Sequence, residues 1–192
     1  GFYTDNFLTM HTPNTCELYW NISTDDFFTR MYEEYGKFWT AERKEKAQAL
    51  NLSPIQVSIL ASIVKGEALH VDEMPKIAGL YINRLQKGIL LQADPTVIFA
   101  TNDFTIRRVL NKHLLTNSPY NTYIYKGLPP GPIMMPSIAS IDAVLNYQKH
   151  TYIYMCAKED FSGYHNFSSN VAEHLVNARK FQQALNERNI RK

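Results

Sequence analysis

Apolar residues recur at helical spacing along much of the chain and alternate in one short stretch. Ser23-Thr24-Asp25-Asp26 offers an N-cap, and Phe27, Phe28, Met31, Tyr32, Tyr35 and Phe38 follow every three or four residues, the period of one helix face. The pattern predicts a helix that runs on into Glu42-Arg43-Lys44-Glu45-Lys46 as a solvated face. Ser53-Pro54 is a start signal, a capping serine before a proline at the first helical position. It opens an apolar helix from Ile55 to Val64. Asp72 is expected to cap a further helix carrying Met74, Ile77, Ala78, Tyr81, Ile82 and Leu85, stopped at Gly88. Residues 137–146 and 169–188 read as two more helices. Tyr152 to Cys156 alternates as a strand, and Cys16 to Trp20 is strand-like.

Between Gln92 and Pro136 the periodicity fails. This stretch is rich in Asn, Thr, Ser, Tyr, Gly and Pro, with short helix candidates only at 95–100 and 105–113. Gly127-Leu128-Pro129-Pro130-Gly131-Pro132 reads as a rigid turn or extended wall, because proline and glycine break helices. A long irregular segment inside a compact domain usually carries function. The site is therefore expected there, with the helix that packs beneath it. The fold class is mainly α (α+β), with short strands and a long irregular groove-forming segment.

Composition narrows the partners more than the fold. With 192 residues, 45% apolar and 20% charged, the chain can bury a core and fits one domain of ~100–200 residues. A net charge of +2 gives no electrostatic footprint for nucleic acid or an anionic membrane. The 12 Tyr, 10 Phe and 2 Trp suit an ordinary core or a sugar-binding groove. Cys16 and Cys156 stand at opposite ends of the chain without metal-ligand spacing, and both are treated as free thiols. No apolar run approaches the ~18–20 residues of a membrane span. The Gly1-Phe2 start without Met leads us to expect a processed piece, with room for an anchor upstream.

One carboxylate stands out. On the helix opened at Pro54, Glu67 shares a side with Val64, Ile63, Leu60, Val57 and Gln56, whereas Lys65 points with Ser58, Ala61 and Ser62. A carboxyl on an apolar wall loses hydration, which raises its pKa and lets it donate a proton to a glycosidic oxygen near neutral pH. Alternatively Gly66 ends the helix and Glu67 swings into solvent. Glu73 reads as a first-turn charge that suits the dipole of the next helix. The six histidines show no HExxH or other ligand pattern, and no Gly-rich phosphate loop or GxSxG elbow is present. Asp94-Pro95 is either an N-cap and first helical residue or, with Gln92 and Thr96, a polar cluster for sugar hydroxyl and amide groups. No carboxylate has a second carboxylate partner at readable spacing.

At Glu67 the chain resembles a known family. Ala61-Ser62-Ile63-Val64-Lys65-Gly66-Glu67 and Ile77-Ala78-Gly79-Leu80-Tyr81-Ile82-Asn83-Arg84-Leu85 look like the core of the YceG-like endolytic peptidoglycan transglycosylases (the MltG family). The likeness continues through Leu91 to Ile98, Ser118 to Tyr123, Gly127 to Ile133, Ala139-Ser140-Ile141, Tyr152-Ile153-Tyr154, His165-Asn166-Phe167 and Glu173-His174. These blocks keep their order over residues 54–180, and the combination is far more specific than any one block.

The resemblance implies a lysozyme-like helical catalytic domain over residues 23–192, preceded by a lead-in or end of an N-terminal lobe at 1–22. Glu67 would act as general acid and then base, cleaving the β-1,4 bond between N-acetylmuramic acid and N-acetylglucosamine to leave 1,6-anhydromuramyl ends. Gln92, Asp94, Tyr120, Asn121 and Tyr123 become the groove candidates. No metal or cofactor is implied. The resemblance also implies a single-pass inner-membrane protein with its catalytic domain in the periplasm, working on glycan strands beside the synthases. The family pattern is broken in three places: Lys65 stands where Glu is usual, Cys16 where Tyr is common, and Met134-Met135 where a small residue is common. A muramidase hydrolysing the same bond and a non-catalytic glycan-binding module are the competing readings. A pyridoxal-phosphate lyase is a third, but nothing in the sequence frames a Schiff-base lysine or a phosphate cradle.

Overall fold

The computed structural model describes residues 2–188; Gly1 and the tail 189–192 of the expected 23–192 domain lie outside the described residues. The elements run in order as α1 Thr24–Phe38, α2 Ala41–Ala49, α3 Pro54–Glu67, α4 Met74–Gln86, α5 Asp94–Thr101, α6 Asn111–Leu114, α7 Ile138–Leu145, β1 Tyr154–Ala157, β2 His165–Ser168 and α8 Val171–Glu187. Short 3-10 turns at Phe7–Met10 and Val71–Glu73 precede α1 and α4. The described residues are mainly helical with one two-stranded sheet.

Helix α3 is the axis of the molecule. Its start is doubly secured: the Ser53 hydroxyl accepts from the Gln56 backbone N, and the Gln56 side chain accepts from the Ser53 N, a reciprocal capping box. Every residue from Val57 to Val64 is buried, because α2, α4, α5, α7 and the turn Phe7–Met10 all pack on it. The one-sided stripe expected from the wheel is therefore a helix enclosed all round; the face of Ser58, Ala61 and Ser62 is buried as deeply, and Gln56 is exposed. Ser62 fits inside because its hydroxyl donates to the Ile59 carbonyl and accepts from the Ile133 N. Each fully buried Leu60 or Ile63 side chain contributes about 1.5–3 kcal/mol of apolar transfer.

The structure revises several expected elements. The first helix does not run into the charged segment: Trp39, 1% exposed, turns into the core, and Thr40 caps α2 as a separate helix. Arg43 is not simply solvated, for its guanidinium forms a two-oxygen pair with Asp142 of α7 and lies 4.0 Å from the centre of the Phe38 ring. Cys16 to Trp20 forms no strand, and Tyr19 and Trp20 are exposed. Asp72 does not cap α4; it sits in the turn Val71–Glu73 and accepts from the Tyr164 hydroxyl. Only the end of the 105–113 candidate is helical, in α6.

Strands β1 and β2 pair antiparallel, with Tyr154 opposite Ser168 and Ala157 opposite His165. Polar residues of α4 hold this hairpin down. The Asn83 amide donates to the carbonyls of His150 and Tyr152, and the Arg84 Nε donates to that of Ile153. Gly79 makes the approach possible, since a Cβ there would collide with the Gln148 carbonyl. The hairpin thus lies over the helix that starts just after Glu67.

Candidate active site

Glu67 is the last residue of α3. Gly66 before it lets Pro95 of α5 press against the helix, where a Cβ would come within 2.9 Å of Pro95. This close packing keeps the end of α3 helical and directs Glu67 inward, not into open solvent. The carboxylate Oε1 accepts from the Tyr81 hydroxyl at 2.7 Å, and Tyr81, on α4, is 1% exposed. Loss of hydration pushes the Glu67 pKa up to about 7; the Tyr81 hydrogen bond opposes this, and the charge of Asp94 adds to it. Glu67 takes part in no ion pair among the described residues. Lys65 is directed away, its amine donating to the Met135 carbonyl at 3.0 Å.

The carboxyl faces a cavity of about 300 Å³. Its base is α4, through Leu80, Tyr81 and Arg84; one wall is Leu91, Gln92, Asp94 and Tyr123; the other is Met155, Cys156 and Ala157 of β1 with His165 of β2. Three of the groove candidates therefore gather around Glu67. Gln92 holds a left-handed backbone, φ 52°, of the strained kind that clusters at functional sites. Its side-chain oxygen accepts from Arg84 Nη1 at 3.1 Å. Asp94 opens α5 but caps nothing, and its Oδ1 accepts from the Tyr123 hydroxyl at 2.6 Å. Burial and the neighbouring carboxylates raise the pKa of both Tyr81 and Tyr123, so both phenols remain donors.

The other two candidates are elsewhere. Asn121 is fully buried and holds its own turn: its amide donates to the Leu114 and Thr116 carbonyls, and its oxygen accepts from the Tyr123 N. The Tyr120 ring packs at a tilt against Phe99, with ring centres 4.7 Å apart. Neither lines the cavity. The three residues lie in one tight turn, which splays consecutive side chains in different directions.

The cavity also holds residues that sequence reasoning passed over. Arg84 is 7% exposed and is fixed by the carbonyls of Leu90, Leu91 and Ile153. Burial lowers its pKa, yet a guanidinium stays charged in any ordinary range. A lone arginine inside an apolar helical stripe was the available signal for it. Cys156 lines the wall as a free thiol, like Cys16, its pKa raised by burial and Glu159. His165 belongs to the His-Asn-Phe block, but spacing does not reveal its partner. That partner is Glu73, which stands at the start of α4 as expected but is 6% exposed and accepts from His165. Among the described residues no group of three or more His, Cys, Asp and Glu is placed to hold a metal ion.

The YceG-like family's sequence model matches residues 3–180. The chain is 33% identical over 168 residues to an endolytic murein transglycosylase of Bacillus subtilis, covering 88% of this chain and 46% of that one. It is 32% identical over 111 residues to an endolytic murein transglycosylase of Streptococcus pneumoniae, covering 56% and 20%. A YceG-like protein of Listeria monocytogenes, known from its crystal structure, superposes with TM-score 0.70 at 31% identity, over 81% of this chain and 50% of that one. The chain therefore spans half or less of the length of these relatives.

Proposed function

The chain belongs to the YceG-like family, and we propose that it is an endolytic murein transglycosylase. In this reading it cleaves the β-1,4 bond between N-acetylmuramic acid and N-acetylglucosamine within peptidoglycan strands and leaves 1,6-anhydromuramyl ends. The observation that carries the reading is Glu67, a carboxyl held protonated up to about pH 7 by burial at the edge of a polar cavity. An ordinary carboxylate, near 4.5, would have no proton to give at neutral pH.

The chemistry follows from that proton. Glu67 donates it to the glycosidic oxygen, the bond from the muramyl anomeric carbon to that oxygen breaks, and N-acetylglucosamine leaves with a free 4-hydroxyl. Positive charge develops at the anomeric carbon, where Asp94 supplies a nearby negative charge. The Glu67 carboxylate, steadied by the Tyr81 hydroxyl, then takes the proton of the muramyl 6-hydroxyl as that oxygen closes on the anomeric carbon. One proton is given and one regained, no water is consumed, and Glu67 is ready again. Gln92 and Tyr123 border the same space and are assigned to hold the sugars.

A second reading rests on Asp94. It brings a second carboxylate into the Glu67 cavity, the usual arrangement in a glycoside hydrolase, which would fit a muramidase. Mass spectrometry of digested glycan strands separates the two. Products one water lighter than reducing-end fragments support the transglycosylase; reducing ends carrying oxygen from labelled water overturn it. Failure of the chain to cleave glycan strands at all leaves a binding module. We further assign catalysis to residues 23–192 with 1–22 as a lead-in, and place the domain at the outer face of the inner membrane, on an upstream anchor and beside the synthases. Among the described residues no single helix is long and apolar enough to cross a membrane.

A further inference from the structure

Glu73 and His165 form a second acid–base pair at the Glu67 cavity, and the chemistry above does not use it. Glu73 Oε1 accepts from the His165 backbone N at 2.8 Å, and Oε2 meets His165 Nδ1 at 2.8 Å. A buried carboxylate is costly unless fully hydrogen-bonded, and here a single residue satisfies both oxygens. The backbone bond fixes the start of β2, and the side-chain bond fixes the rotation of the ring. Oε2 faces Nδ1 as the acceptor for its N–H.

The other ring nitrogen is left open. Nε2 makes no hydrogen bond among the described residues and is not enclosed, while the imidazole lines the cavity. His150 shows what a histidine that only ties the fold looks like: its Nε2 is on the Lys76 carbonyl and its Nδ1 on the Tyr152 N. A ring clamped on one side and open on the other, on the wall of a polar cavity, is arranged to meet a ligand.

We infer that His165 is a sugar-contacting residue of this cavity, its Nε2 hydrogen-bonding a hydroxyl or acetamido group beside the bond that Glu67 acts on, and that Glu73 is the positioning residue that aims it. This rests on the reading of the cavity as a glycan site.

Affinity is measured without turnover, by calorimetry on the chain carrying Glu67→Gln, with a tetrasaccharide of alternating N-acetylglucosamine and N-acetylmuramic acid. Adding His165→Ala weakens binding about tenfold, the loss of one directed hydrogen bond. His165→Gln, whose amide reaches toward the Nε2 position, restores part of it. Glu73→Gln keeps the volume and can keep the bond to the His165 N, but turns an amide N–H toward Nδ1. The ring proton then moves to Nε2, which imidazole nitrogen-15 shifts report, and binding weakens with the hairpin intact. With Glu67 present, the same changes raise KM more than they lower kcat. Unchanged affinity in His165→Ala, or normal binding in both His165→Gln and Glu73→Gln while His165→Ala merely unfolds, overturns the inference and leaves Glu67 untouched. A tetrasaccharide neither bound by the Glu67→Gln chain nor cleaved by the unsubstituted one overturns the glycan reading beneath it.

Discussion

The end of α3 and the turn that leads into α4 each draw a carboxylate away from bulk solvent, Glu67 to the edge of a cavity and Glu73 into the interior, and the two are put to different use. Glu67 has one neutral partner, the Tyr81 hydroxyl, and its pKa is raised to about 7. Glu73 is matched on both oxygens by N–H groups of His165. Burial alone does not decide what a carboxyl does. A phenol leaves Glu67 a proton that can be given and regained, whereas a histidine makes Glu73 part of a fixed clamp. The contrast predicts how each region breaks.

The largest effect is on catalysis. Glu67→Gln lowers cleavage of glycan strands about a thousandfold, in the range of a lost general acid, while the melting temperature at neutral pH is kept or raised. Next comes stability at the other carboxylate: Glu73→Ala leaves His165 without its partner and lowers unfolding free energy by about 3 kcal/mol in urea titrations. Between these two substitutions the comparison is direct, since one loses activity without fold and the other loses fold before chemistry.

These two residues also show what the sequence could and could not reveal. Ser53-Pro54, Ser23 and Ser137 announce helix starts by local hydrogen bonding that spacing encodes, and Glu67 was legible because it closes one of those helices. The place of Glu73 at the start of α4 was legible, but its partner is 92 residues away, and no local pattern carries a tertiary pair. The break at Trp39-Thr40 was hidden for a similar reason: only the core that receives Trp39 makes it a helix end. Strand β2 carries one strongly apolar residue, Phe167, so no alternation marks it. Within Tyr120-Asn121-Tyr123 the residue types suited a sugar site equally, and only the turn's geometry sends Tyr123 into the cavity and the other two away.

Smaller changes sharpen the picture around Glu67. Tyr81→Phe removes the bond that favours the charged carboxylate, so the alkaline limb of the pH–rate profile moves to higher pH, and kcat falls about tenfold or less as the intermediate carboxylate loses its donor. Asp94→Asn removes a negative neighbour and moves the same limb to lower pH. Stability follows the same proton. The folded protein holds it up to about pH 7 while the unfolded chain releases it near 4.5. The contribution is therefore complete below pH 4.5 and is lost as pH rises toward 7, about 3 kcal/mol at most. Urea midpoints across that window fall less steeply for Glu67→Gln than for the unsubstituted chain.

The most direct test of the central claim is the titration of the Glu67 carboxyl itself, followed by carbon-13 NMR with Glu67→Gln to assign the resonance. The account predicts a midpoint near pH 7. A midpoint near 4.5, with Glu67 ionised throughout the neutral range, contradicts it.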